Sequence, residues 1–237
     1  MTYCIGLQVD TGLVFLSDSR TNAGVDHINT FRKMTVFENP GDRVLVLLTS
    51  GNLAISQAVI NELQPLTSGP LSEVGSMVEA VRVVGAALRT VYLRDRDAFK
   101  EFGLDFAASF IFGGQIGSEP PKLFQVYAAG NFIETTKETR YFQVGESKYG
   151  KPIIDRVVES STNLNDAAKC ALISMDSTIR SNLSVGMPLD LLVYEAGSLK
   201  VKTHVSVGLD DPYYQQLRSK WGERLRQAFH EMPDPQY

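Results

Sequence analysis

The sequence predicts an α+β domain in which two antiparallel sheets pack face to face and helices cover the outside. Two observations carry this. Apolar runs of strand length come in pairs around turn residues, and helical stretches arrive two at a time between those blocks. A doubly wound parallel sheet would need strands and helices to alternate one for one, whereas hairpins need only tight turns. No linker, repeat or low-complexity tract divides the 237 residues, a length that one core can serve.

The elements follow in order. Tyr3–Val9 and 13–17 flank Asp10-Thr11-Gly12, a hairpin signal. A three-residue loop pairs Cys4 with Asp18 and sets Thr2 opposite Arg20, so that Thr2, Cys4, Asp18 and Arg20 share one face. A two-residue loop shifts that register by one. Either way, Asp18-Ser19-Arg20 ends beside the start of the first strand. Residues 34–37 and 43–49 form a second pair around Asn39-Pro40-Gly41-Asp42, and Ser50-Gly51-Asn52 breaks the chain before a helix over Leu53–Leu63. A loop over 65–70 leads to a long helix from Ser72 to about Lys100. Four strands come next, at 105–113, 122–128, 132–135 and 141–144, then helices over 151–159 and 164–180.

The last hairpin joins 190–195 to 199–205 and turns at Ala196-Gly197. Asp211-Pro212 has the form of an N-cap with proline at the first helical position. Tyr214, Leu217, Trp221, Leu225 and Phe229 then recur at helical spacing, a stripe suited to a core or to a neighbouring subunit. The expected organisation is one domain over 2–209 and a helical extension over 210–237, packed on that domain or on another subunit.

Composition narrows the chemistry. With 43% hydrophobic residues and 21% charged, the chain is not a disordered one. Its net charge of −4 and lack of a basic run argue against a nucleic-acid partner. No apolar stretch reaches the roughly 18–20 residues of a membrane helix, and Met1 to Leu7 lacks the basic region of a secretory signal. A cytoplasmic protein without a membrane partner is expected. Two cysteines, Cys4 and Cys170, exclude a disulfide scaffold and a cysteine-rich zinc site, and the three histidines lack metal-ligand spacing. No metal or organic cofactor is expected, and a catalytic base other than histidine has to be sought.

The N-terminus offers one. Chain ends are usually polar and frayed, but here a strand starts at once. Removal of Met1 would leave Thr2 with a hydroxyl beside a free α-amine. An unperturbed α-amine has a pKa of about 7.7–8.0, well matched to general-base work at neutral pH. One residue would then supply both nucleophile and base.

With Thr2 at the head of the first strand, Asp18-Ser19-Arg20 closing the second and Phe31-Arg32-Lys33 before the next, the chain resembles a proteasome β-subunit. The phrases SDSRTNAGVD, FRKM, GESKYGKPIIDR and SVGMPLDLLVYE are closest to the bacterial group called Anbu, the ancestral β-subunit. The resemblance covers about residues 2–205 and implies the four-layer αββα sandwich of N-terminal nucleophile hydrolases, plus a C-terminal helix.

It also implies roles. Thr2 is the nucleophile, Lys33 the buried lysine favouring loss of its proton, and Asp18 the acid orienting that lysine. Gly51 matches the glycine whose N–H faces the oxyanion. Thr21 and Asn22, with Gly51, flank the groove in which substrate pairs as an added strand. Phe31 and Thr49 line the first specificity pocket, and a Phe there points to an apolar or reduced one. The supporting serine corresponds to Glu146 or Ser147, and an aspartate-x-x-serine motif appears as Ser181-Asn182-Leu183-Ser184, without its carboxylate. Arg20 joins these as a supporting residue.

The function expected from the resemblance is a threonine-type peptidase subunit of a self-compartmentalising assembly, a homo-oligomeric ring or open spiral acting on peptides or unfolded chains. Any ATPase partner is left unspecified. The alternatives are an amidase restricted to one small peptide and a weakly active or non-catalytic assembly subunit. A non-catalytic chain would need none of Thr2, Asp18 and Lys33.

Overall fold

The computed structural model describes residues 2–22 and 28–237, with the backbone alone at Asn22 and Ile28. Met1 and the Ala23 to Asp26 part of the SDSRTNAGVD phrase lie outside the described residues. The strands in chain order are β1 (Tyr3–Val9), β2 (Gly12–Asp18), β3 (Arg20–Asn22), β4 (Ile28–Thr30), β5 (Met34–Asn39) and β6 (Arg43–Gly51). Helices α1 (Leu53–Leu63) and α2 (Met77–Glu101) precede β7 (Ala108–Ile116), β8 (Lys122–Val126), β9 (Phe132–Glu134) and β10 (Tyr141–Gly145). Then come α3 (Lys151–Val157), α4 (Leu164–Ser181), β11 (Leu189–Glu195), β12 (Thr203–Val207) and α5 (Pro212–His230).

One sheet runs β10-β1-β2-β11-β12 and the other β5-β6-β7-β8-β9, with every pairing antiparallel. Three apolar clusters divide the work. Between the sheets lie Cys4, Leu13, Phe15, Leu48, Ile111 and Leu192. Outside the second sheet, α1 and α2 bury Ile55, Val59, Val81, Val84 and Leu88 against Leu45 and Phe112. Outside the first, α3 and α4 cover Ile5, Leu7 and Leu16 with Ile154, Ala171 and Met175. Each sheet is therefore buried on both faces, which explains why β2 reads LVFLS without alternation. The result is the expected αββα sandwich.

Several boundaries differ from the sequence reading, each for a local reason. The β1–β2 loop holds two residues, so Cys4 pairs with Ser17 and Asp18 moves one place on, beside Tyr3. The long helix begins at Met77, because Ser76 accepts from the Glu79 N–H while the Glu79 carboxylate takes the Gly75 N–H at 2.8 Å. That reciprocal cap is written in the sequence as Ser76-x-x-Glu79. β7 runs to Ile116, drawn out by its ladder with β6. β12 starts at Thr203 because Leu199 and Val201 bond elsewhere, to Gly41 N–H and to the Glu38 carboxylate. The short strands β3 and β4 were not anticipated.

Helix α5 meets the rest of the chain through its first two turns. Tyr214 is buried in the cluster beneath α4, and Arg218 pairs with the buried Asp176 of α4. Beyond Trp221 the stripe is exposed at Leu225 and Phe229. Among the described residues no helix is long and apolar enough to cross a membrane.

The first strand is tied down on its helix side by a polar link. Tyr3, fully buried, shares a hydrogen bond between its hydroxyl and Ser174 Oγ of α4 at 2.7 Å and accepts from the Gln143 amide of β10. Burial raises the phenol far above its ordinary pKa, keeping it protonated. Tyr3→Phe leaves the fully buried Ser174 hydroxyl without this partner. It is expected to lower stability by about 1–3 kcal/mol, read as a fall in the urea midpoint.

Candidate active site

β1 is an interior strand, and its first residue neighbour, Thr2, opens onto a cleft of about 730 Å³. The lining includes Thr2, Thr21, Phe31, Lys33, Thr49 and Gly51, with Ser50, Asn52, Leu53 and Gly145 completing the rim. Six residues singled out from the sequence are thus brought together from β1, β3, β6 and the segment before β5. Thr2 is itself largely buried, held by its carbonyl, which accepts the Glu146 N–H at 2.7 Å.

Behind the cleft sits a buried ion pair. Lys33 Nζ donates to Asp18 Oδ1 at 2.6 Å and to the Arg20 carbonyl at 2.7 Å, with the Asp18 carboxylate wholly enclosed. Asp18 also accepts from the Tyr3 N–H at 3.0 Å and the Gly186 N–H at 3.3 Å. Burial pushes its carboxyl above the ordinary aspartate range. The Lys33 ammonium and the two backbone donors pull it back.

Two glycines shape the walls. In β6 the odd-numbered amides point toward β5, as the Thr49 N–H does in reaching the Lys33 carbonyl at 2.9 Å. Gly51 is the next odd residue and lies beyond the first residue of β5, so its N–H faces the cleft. Its φ of +113° suits glycine, and a Cβ there would strike the Ala107 carbonyl. Gly145, with φ +86°, lies flat against the Thr2 carbonyl, where a Cβ would collide with the oxygen. Any larger residue at 145 would push Thr2 out of place.

Around this centre Arg20 acts as a brace. Its guanidinium donates to the Leu183 carbonyl at 2.9 Å and lies over Gly186, the residue whose N–H reaches Asp18. Ser19 fixes the same loop through the Pro188 carbonyl at 2.6 Å. Phe31 is part-exposed at the cleft edge, while Thr49 is buried in its wall. Thr21 and Asn22 form the β3 edge, paired with β4.

The expected supporting serines stand elsewhere. Ser181 is exposed at the end of α4, and Ser184 uses its backbone N–H to cap the Asn182 side chain at 2.9 Å. Ser147 is part-exposed, and none of the three lines the cleft. Of the two residues weighed at that position, Glu146 is the one bonded to Thr2. Its buried carboxylate accepts from Asn182 Nδ2 at 3.1 Å. The sequence signals for this pair were Glu146 standing at the supporting-serine position and the absence of a carboxylate from 181–184.

Cys4 is the other nucleophile near Thr2, but burial raises its thiol far above the ordinary range, and its sulfur points to the Thr49 carbonyl at 3.8 Å. Among the described residues no group of His, Cys, Asp and Glu could hold a metal ion.

A strand that delivers a small hydroxyl residue to a cleft between two sheets, inside an αββα sandwich, defines the class of proteasome-related N-terminal nucleophile hydrolases. Within that class, solved structures narrow the assignment. The Anbu (ancestral beta-subunit) protein of Yersinia bercovieri is 47% identical over 99% of both chains, with a TM-score of 0.92. The Anbu of Pseudomonas aeruginosa, solved as a helical assembly of the Anbu complex, is 47% identical over 99% of this chain and 98% of that one, with a TM-score of 0.93. An Anbu (Gly-1) mutant from Hyphomicrobium sp. strain MC1 is 45% identical over the whole of both chains, TM-score 0.90. The chain belongs to the Anbu family. No family model matches it, and no curated protein does.

The ion pair makes a testable statement about stability. Lys33→Ala leaves Asp18 buried without its cation, at an expected cost of about 3–5 kcal/mol near neutral pH. The folded carboxyl then titrates further above its unfolded value, so the folded state binds the proton more tightly. The deficit of the variant relative to wild type should be smallest below pH about 4 and grow as pH rises from there. Urea midpoints of the variant and wild type measured across pH read that slope directly.

Proposed function

We propose that this chain is a threonine-type peptidase subunit whose nucleophile is Thr2, exposed as the N-terminal residue by removal of Met1. The observation that carries the reading is the convergence of Thr2, Lys33 and Gly51 on one cleft, with Asp18 buried behind the lysine.

Each group then has a task. The Thr2 hydroxyl loses its proton to the α-amine, directly or through water, as its oxygen bonds to the substrate carbonyl carbon. Lys33, fixed in direction by Asp18 and the Arg20 carbonyl, supplies positive charge that favours the alkoxide. The Gly51 N–H receives the negative charge that develops on the carbonyl oxygen, and it does so without moving. Collapse of the tetrahedral intermediate breaks the C–N bond, and the amine product leaves with the proton. Water, deprotonated by the same α-amine, then hydrolyses the Thr2 ester.

The substrate groove follows from the edges around the cleft. β3 presents the short edge carrying Thr21 and Asn22, and Gly51 lines the cleft opposite, which suits an extended peptide. Phe31 and Leu53 give the pocket an apolar side, favouring uncharged side chains. The exposed end of α5, with Leu225, Phe229 and Met232, is suited to packing between copies of this chain. A homo-oligomer in an open spiral agrees with the helical assembly of the Pseudomonas relative. The assembly is expected in the cytoplasm.

The decisive test begins with intact mass, which should place the first residue at Thr2. A threonine-directed β-lactone should add one equivalent to that residue and abolish peptide hydrolysis. Thr2→Ala should lower turnover at least ~10³-fold with the assembly retained. Unchanged hydrolysis by the pure variant would overturn the assignment. A broad peptide library separates a general peptidase from an amidase confined to one small peptide, and a chain that forms no adduct is an assembly subunit.

A further inference from the structure

Glu146 is an unusual residue for the place it occupies. Glutamates are seldom enclosed unless paired, yet this side chain is 9% exposed. Its close partner is a neutral one, the Asn182 amide at 3.1 Å. The ammonium of Lys148 approaches to 3.9 Å, but that lysine is 80% exposed and carries little weight in water. The other cations around the cleft face other groups, with Arg20 Nε left unpartnered among the described residues. Lys33 serves Asp18 and the Arg20 carbonyl, Arg20 serves Leu183, and Arg32 faces Asp190. Among the described residues, this buried carboxylate has one amide and one distant, exposed ammonium as partners, a costly arrangement that points to a cation that belongs there.

The backbone says where that cation arises. The Glu146 N–H donates to the Thr2 carbonyl at 2.7 Å, and Gly145 is pressed against the same carbonyl. Glu146 is therefore the cross-strand neighbour of Thr2, at the level where facing side chains come within about 5 Å of each other. The α-amine of Thr2 is two bonds from that carbonyl carbon. When Met1 is removed, the neutral amide becomes an amine that takes up a proton, on the residue directly across the ladder from this carboxylate.

We propose that Glu146 is a positioning residue for the nucleophile, its carboxylate, oriented by Asn182, anchoring the α-amine that Thr2 gains when Met1 is removed. The proposal rests on the reading of Thr2 as an N-terminal residue and goes beyond it in assigning the group that holds the amine. The charged groups facing Thr2 are Asp18 from β2, Lys33 from the segment before β5 and Glu146 from the end of β10, with Lys148 behind Glu146. Lys33 lowers the proton affinity of the amine, and Glu146 raises it and fixes its direction. The base that takes the Thr2 proton is thereby kept from turning away from the hydroxyl.

The test titrates the amine itself. Protein of confirmed mass beginning at Thr2 is labelled with trace acetic anhydride across pH 5–10, and acetylation of the N-terminal peptide is followed by mass spectrometry. In Glu146→Gln, which keeps an oxygen for the Asn182 bond, the midpoint should fall by about one pH unit, a tenfold loss of proton affinity. Glu146→Asp, which keeps the charge, should return most of it. Should Glu146→Gln fail to fold, Glu146→Ser is titrated in its place. A midpoint equal to the wild-type value there overturns the proposal. An unchanged midpoint in folded Glu146→Gln overturns it as well. A shifted midpoint in a protein that hydrolyses no peptide would support the anchor and sink the peptidase reading, so the two fail separately.

Discussion

The structure around the cleft depends on one carboxylate that has been taken out of water. Asp18 lies at the end of β2, fully enclosed, and such a group persists only when donors surround it. The three that do so come from different parts of the chain: the Lys33 ammonium, the Tyr3 N–H and the Gly186 N–H, with Lys33 bound in turn to the Arg20 carbonyl. Desolvation therefore works as an assembly rule. The start of the first strand, the approach to β5 and the loop after α4 must all arrive together. Arg20 and Ser19 then hold that loop by its carbonyls at Leu183 and Pro188, so the donor at Gly186 stays aimed. In the low-dielectric space that results, the field of Lys33 acts on the cleft with little screening.

Much of this was legible in the residues. The Leu53–Leu63 helix was read with its true limits because Asn52 caps it and Gln64-Pro65 ends it. The hairpin blocks and paired helices gave the layers. Thr2 and Asp18 drew attention through their places at strand ends, whereas Lys33 and Gly51 were singled out by the resemblance to proteasome β-subunits. What escaped the reading depended on partners far away in sequence. A single residue of hairpin register was settled by how β2 meets β11, and the late start of β12 by bonds from Gly41 and Glu38. The pairing of Glu146 with Asn182 joins two loops, and neither has a periodicity to betray it.

The division of α5 is instructive for the same reason. Its apolar stripe continues at helical spacing over its whole length, but only Tyr214 is fully enclosed, with the Asp176 carboxylate and Arg218 beside it. Spacing told which side is apolar. It could not tell which turns are covered, because that depends on where α4 ends beneath them.

The placement of β1 has a consequence for how the molecule comes into being. Its neighbours are β2, next in the chain, and β10, more than a hundred residues later, while β2 waits for β11. Synthesis runs from the N-terminus, so the first strand emerges long before the strand that completes its ladder. Asp18 likewise has to wait for Gly186. A partly made chain has a threonine near its start, but the wall at Gly145 and the donor at Gly186 are still unmade. The cleft is thus a late product of synthesis, which the first 56 residues cannot complete alone.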